Sequence, residues 1–118
     1  MIRNKTGVWG ELYAARYLRD RGYYVLSSNY TCRFGEIDIA VKKDGVIHLV
    51  EVKTRNYNSP VRPMEAVDET KKNRLIMASK HYLKFIDMDD PVEFDVAEVY
   101  LDDNNELVSI NYIENAFE

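Results

Sequence analysis

Residues 35–55, GEIDIAVKKDGVIHLVEVKTR, restrict the fold more than any other stretch. Ile37, Ile39 and Val41 alternate with Glu36, Asp38 and Ala40, and Val46, His48, Val50 and Val52 alternate with Ile47, Leu49, Glu51 and Lys53. A period of two is a strand pattern. Asp44-Gly45 between the runs predicts a hairpin, because a type I′ turn needs positive φ at both central positions. A two-residue loop sets Lys43 opposite Val46. Counting back places Asp38 opposite Glu51 and Glu36 opposite Lys53. All four then share one sheet face, with Ile37, Ile39, Val50 and Val52 buried on the other. Opposed residues have Cβ atoms about 4.5–5.5 Å apart, and like charges so placed destabilise a sheet. A divalent metal ion would compensate, since hard cations such as Mg²⁺ take carboxylate oxygens and keep several waters. The competing reading is a solvated face with a Glu36–Lys53 ion pair, because an isolated E-x-K triplet is a common pattern.

A third acid lies upstream. Thr6 to Arg21 reads as a helix stopped by Gly22. Its apolar stripe is Val8, Leu12, Ala15 and Leu18, and Glu11 falls inside it. An unpaired buried carboxylate is costly. Glu11 therefore either bonds a nearby Arg or backbone N–H, or looks across at Asp38 and Glu51. Tyr23–Ser28 reads as a short strand and Asn29–Phe34 as a loop. Arg55–Met64, with two prolines, reads as a second loop. A second helix is predicted from Asp68 to Ile86, burying Leu75, Ile76, Ser79, Tyr82, Leu83 and Ile86. Val92–Leu101 and Leu107–Ile113 read as strands joined by the turn Asp102–Glu106. The order α-β-β-β-α-β-β predicts an α/β fold, a mixed sheet flanked by helices.

At 118 residues, 46% of them hydrophobic, the chain is expected to be a single domain over 1–118 with a real core. No run reaches the length of a membrane span, the charged N-terminal stretch has no signal-peptide apolar region, and Cys32 is alone. These features predict a cytoplasmic protein with no membrane partner. The net charge of −4 argues mildly against nucleic acid, but the charge is unevenly spread. Residues 53–84 carry eight Lys/Arg against three acids, and residues 85–118 carry eleven acids and no Lys or Arg. A basic face on an acidic protein is compatible with that asymmetry. Candidate phosphate contacts are Arg55 and Arg62 in the loop, and Lys71 and Arg74 near the start of the second helix, where anions are favoured. The acidic end reads as solvation.

A helix Glu, a strand Asp and E-x-K on the next strand resemble the constellation of the PD-(D/E)xK nuclease superfamily, here Glu11, Asp38, Glu51 and Lys53. Nearly the whole chain also resembles the YraN-like family of bacterial proteins. The matching pieces are Gly10-Glu11 with Ala14 and Ala15, Gly22-Tyr23, Asn29, Gly35-Glu36-Ile37-Asp38, Val50-Glu51-Val52-Lys53 with Arg55, Lys71 with Arg74-Leu75, Tyr82-Leu83 and Phe94-Asp95-Val96. The chain departs from that family at Glu93, where Arg is usual. The resemblance implies a restriction-endonuclease-like fold close to the archaeal Holliday junction resolvases. The resemblance supplies no substrate; the leading reading is a metal-dependent endonuclease on branched or otherwise structured DNA, with RNA as the other nucleic acid it could take. A homodimer is expected from the resolvase resemblance, since symmetric junctions suit a two-fold protein.

In such a site Asp38 and Glu51 would hold Mg²⁺ or Mn²⁺, with the Val52 carbonyl and Glu11 as further ligands. Lys53 would act as an orienting, charge-stabilising cation, because neighbouring carboxylates favour its charged form. Two other readings compete: a nucleic-acid-binding protein that keeps the fold without cleaving, and a protein-interaction module using the acidic C-terminal part. His48 is expected on the opposite sheet face and His81 on a helix flank, so no Ser-His pair, Cys-His pair or zinc set is predicted.

Overall fold

The computed structural model describes residues 5–58 and 69–116. Helix α1 (Lys5–Asp20) is followed by β1 (Tyr24–Cys32), β2 (Gly35–Lys43), β3 (Val46–Asn56), α2 (Glu69–Ile86), β4 (Val92–Leu101) and β5 (Leu107–Ile113), which is the predicted order. The strands form one sheet in the order β1-β2-β3-β4-β5. β3 and β4 are parallel, and the other neighbours are antiparallel. A parallel pair needs a long crossover, and α2 lies within it.

Side-chain alternation divides the core into two layers. Ile39, Val41, Val50, Ala97, Val99 and Leu101 pack with Ala14 and Leu18 of α1. Ala40, Ile47 and Leu49 pack with Ala78 and Tyr82 of α2. Neighbouring residues of β2 and β3 thus join opposite layers, so the helices cover opposite faces of the sheet. No helix among the described residues is long and apolar enough to cross a membrane.

α1 uses only part of its predicted stripe: Leu18 is buried and Ala15 packs against the core, but the N-terminal half is displaced. Val8 and Leu12 are 38% and 55% exposed, whereas Gly10, Ala14 and Leu18 are buried. The reason is distance. A Cβ on Gly10 would lie 1.8 Å from Thr54 Oγ1, so glycine lets the helix approach β3 more closely than any side chain would allow. The helix ends as predicted at Gly22, with φ of 86°. Gly22 N–H donates to the Arg19 carbonyl at 3.1 Å and Tyr23 N–H to that of Leu18 at 3.0 Å, the Schellman arrangement.

The hairpin has the expected turn and register. Asp44 and Gly45 have φ of 52° and 78°, and the ladder runs from Lys43–Val46 to Ile39–Val50. Three expectations then fail. β1 is longer than predicted, because residues 29–32 continue the strand rather than forming a loop. The β2–β3 ladder stops at Ile39–Val50, so Asp38 and Glu51 are not paired across it. Ile37 packs in the α2 layer with Leu49, not in the α1 layer with Ile39.

A local irregularity of the backbone coincides with the change of face. Asn29 adopts the left-handed region at φ 58°. It sits between the pairs Ser28–Ile39 and Tyr30–Ile37. Tyr30 and Ile37 beyond it both pack in the α2 layer. β2 stays paired with β1 as far as Gly35, while β3 stays paired with β4 as far as Asn56. Beyond Ile39–Val50, β2 and β3 therefore part, and the sheet opens between them. Asp38 stands in that opening. Arg62, one of the predicted phosphate contacts, lies outside the described residues, as does the predicted helix start at Asp68.

Candidate active site

The opening gathers carboxylates from two layers. Asp38 Oδ2 accepts the Val52 N–H at 2.8 Å, which satisfies a donor near the point where the ladder ends. The hydrogen bond also fixes the orientation of the Asp38 carboxylate. Glu11 comes from α1, set beside buried Gly10. Glu11, Glu36 and Asp38 each bring one oxygen to within 4.8 Å of the other two. The close seating of α1 on Thr54 is what lets Glu11 reach strand residues. Ionised carboxylates at that spacing repel, by about 3 kcal/mol for each pair at an effective dielectric near 20. A divalent cation among them would turn that repulsion into coordination.

Two of the four predicted site residues, Glu11 and Asp38, are thus brought together, and Glu36 joins them. Glu36 was expected to pair with Lys53, a reading that assumed a continuous ladder. Glu51 and Lys53 stand outside the triplet and form a second group. Glu51 Oε1 lies 3.1 Å from both Lys53 Nζ and Lys71 Nζ. Glu51 Oε2 is buried without a hydrogen-bond partner among the described residues. A buried orphan carboxylate oxygen is costly. Glu51 lines one cleft with Glu36 and Asp38, and such a set of oxygens fits a hard ion such as Mg²⁺ or Mn²⁺. Val52 contributes its N–H to Asp38.

The parted strands and α2 enclose a cleft of about 340 Å³. Glu36, Asp38 and Glu51 line it together with Lys71 and Arg74 of α2. Both candidate phosphate contacts on that helix therefore border the carboxylates. Arg55 belongs to β3 rather than to the following loop, and its guanidinium donates to the Thr54 carbonyl at 2.9 Å.

A buried polar network escaped the reading of the sequence. Asp95, fully buried, accepts the Tyr112 hydroxyl at 2.5 Å and the Asn115 N–H at 2.9 Å. His48 Nδ1 lies 2.7 Å from the same carboxylate. The Tyr23 ring meets the His48 ring edge-on at 5.3 Å. Burial, followed by the hydrogen bond to Glu114, pushes the Tyr23 hydroxyl up to about 12. Burial and the bond to Asp95 push Tyr112 well above the ordinary tyrosine range. His48 does lie on the face away from Glu51, as expected from alternation. Its acid partner is on β4, beyond the α2 crossover, where no local pattern sets the register. Glu98 is also buried. It accepts the Asn111 side-chain N–H at 2.7 Å and sits beside Lys53 in the β3–β4 register.

Comparison with known proteins adds a family. A family model described as "Uncharacterised protein family UPF0102" matches residues 10–99. A "UPF0102 protein" of Clostridium perfringens is 38% identical over 97% of this chain and 95% of its own length. Another from Syntrophomonas wolfei is 40% identical over 98% of this chain and all of its own. A third from Caldicellulosiruptor saccharolyticus is 36% identical over 99% of this chain and all of its own. The matched span includes Glu11, Glu36, Asp38, Glu51, Lys53, Lys71 and Arg74.

Proposed function

The chain belongs to the UPF0102 family, and we propose that its carboxylate site hydrolyses phosphodiester bonds in branched or otherwise structured DNA with Mg²⁺ or Mn²⁺. The observation that carries the reading is the convergence of Glu11, Glu36 and Asp38 within 4.8 Å, in reach of a cleft shared with Glu51, whose Oε2 is buried without a hydrogen-bond partner among the described residues. Glu11, Glu36 and Asp38 would hold the ion, with Glu51 Oε2 as a further donor. Such an ion lowers the pKa of a bound water and offsets charge building on the phosphate.

The remaining residues orient and neutralise. The Val52 N–H holds the Asp38 carboxylate in one direction. Lys53, held 3.1 Å from Glu51, carries a cation to a phosphate oxygen at the edge of the carboxylate group. Lys71 and Arg74 bind the flanking backbone. Contacts of that kind position the substrate and carry little sequence information.

The test is a cleavage panel with a four-way junction, a flap, a linear duplex and an RNA of matched sequence, each with Mg²⁺, Mn²⁺ or chelator. The junction or the flap should be cut in the presence of either metal and left intact with chelator. Tight DNA binding without cleavage at enzyme excess would replace the nuclease by a binding protein. Neither binding nor cleavage would remove nucleic acid from the account.

A further inference from the structure

The cleft beside the carboxylates has walls that phosphate recognition does not require. Its volume of about 340 Å³ lies at the small end of the ligand-site range, roughly 300–1,000 Å³. Phe34 lines it from the turn between β1 and β2, Phe94 from β4 and Leu75 from α2, while Lys71 and Arg74 supply positive charge. Phosphates on the outside of a duplex meet a flat or convex polar surface. They give no reason for phenylalanine rings in the wall of the cleft that Glu36, Asp38 and Glu51 also line.

Phe34 is held in place by its neighbours. The Arg33 guanidinium stands 4.7 Å from its ring centroid, and the His81 ring meets it edge-on at 6.3 Å. His81 is fixed in turn, through a hydrogen bond between its Nδ1 and the Tyr30 hydroxyl. An aromatic ring held in the wall of a small cleft offers a surface on which a base can stack. Base–aromatic stacking contributes about 1–3 kcal/mol per base and tolerates any sequence, because every base has a π-face. Lys71 and Arg74 are three apart on α2 and so share one side of the helix.

We propose that this cleft takes one unpaired nucleotide of a single-stranded DNA segment, its base against Phe34 and its backbone phosphate on Lys71 and Arg74. The inference rests on the nuclease reading and narrows its substrate to DNA carrying an unpaired segment. A base inside a duplex is stacked on both faces and must be flipped out before it can enter, at a cost of a few kcal/mol. Flaps and single-stranded arms present such a base without that cost.

Fluorescence anisotropy in chelator, with all probes compared over the same series of salt concentrations, tests the proposal apart from cleavage. The probes are a labelled single strand, the same sequence as a blunt duplex, and that duplex with a single-stranded flap. The single strand and the flap should bind about tenfold more tightly than the blunt duplex, within the worth of one stacked base. Phe34→Ala should remove that preference while leaving duplex affinity and its salt slope unchanged. Phe34→Trp should keep it. If a thermal melt shows that Phe34→Ala is unfolded, Phe34→Leu carries the same expectation. Equal binding of duplex and single strand by the wild type, or an intact preference in a folded Phe34→Ala or Phe34→Leu, overturns the proposal. Equal binding of duplex and single strand accompanied by metal-dependent cleavage overturns this inference alone. Failure to bind any of the three probes overturns the nuclease reading as well.

Discussion

Asp38→Asn is expected to lower metal-dependent cleavage by about a thousandfold or more, with the protein still folded. Removing one ligand charge forfeits several kcal/mol of transition-state stabilisation, and each 1.4 kcal/mol is a factor of ten. The amide retains a carbonyl oxygen where Asp38 Oδ2 accepts the Val52 N–H at 2.8 Å. The fold is therefore spared an unsatisfied N–H, which costs about 1–3 kcal/mol. Asp38→Ala removes charge and acceptor together and should lose stability as well as rate. Single-turnover cleavage, paired with melts in chelator, separates the two variants. An Asp38→Asn protein within tenfold of the wild-type rate would mean that the chemistry does not depend on this carboxylate.

The second large effect is expected at a residue with no side chain. In Gly10→Ala the new Cβ would lie 1.8 Å from Thr54 Oγ1 and 2.9 Å from Thr54 Cβ and Cγ2. Rotating Thr54 does not resolve the clash, because its own Cβ is already too close. The helix must lift from the sheet. Overpacking of this kind costs about 1–3 kcal/mol, or several degrees in melting temperature for a domain of this size. Glu11 is the next residue and moves with the helix, so cleavage should fall along with stability. Adding Thr54→Ala removes the two outer atoms and should recover part of both losses. A double-mutant cycle that proved additive would show that the two positions do not touch.

These effects mark where the sequence was legible and where it was not. Period-two alternation with Asp44-Gly45 is a local signal, and it specified both hairpin strands and their register to Ile39–Val50. Val92–Leu101 and Leu107–Ile113 were equally plain. The seating of α1 was not. Val8 and Leu12 are stronger hydrophobes than Gly10 and make the better stripe by hydropathy, yet the helix is set by how closely backbone can approach Thr54. Nor did alternation foresee its own interruption. Asn29 reads as a loop residue, and the structure uses its left-handed backbone inside a continuing strand. Beside it Ile37 packs in the α2 layer, β2 parts from β3, and Asp38 meets Val52, Glu11 and Glu36 instead of Glu51. The acids of the site were found because their residue types stood out. Their grouping depends on strands that diverge, and divergence leaves no periodic trace. His48 and Asp95 were missed for a related reason, since 47 residues and a crossover helix separate them.

Direct titration of Mn²⁺, followed by electron paramagnetic resonance of the free ion, tests the central claim that Glu11, Glu36 and Asp38 form one metal centre. The wild type should bind a tight ion that both Asp38→Asn and Glu36→Gln weaken, while an acid-to-amide change at Glu106, in the turn before β5, leaves it unaltered. Glu36→Gln is the decisive variant, because hairpin pairing alone assigns Glu36 to Lys53 and gives it no part in metal binding. Binding that survives Glu36→Gln and Asp38→Asn unchanged would contradict the account.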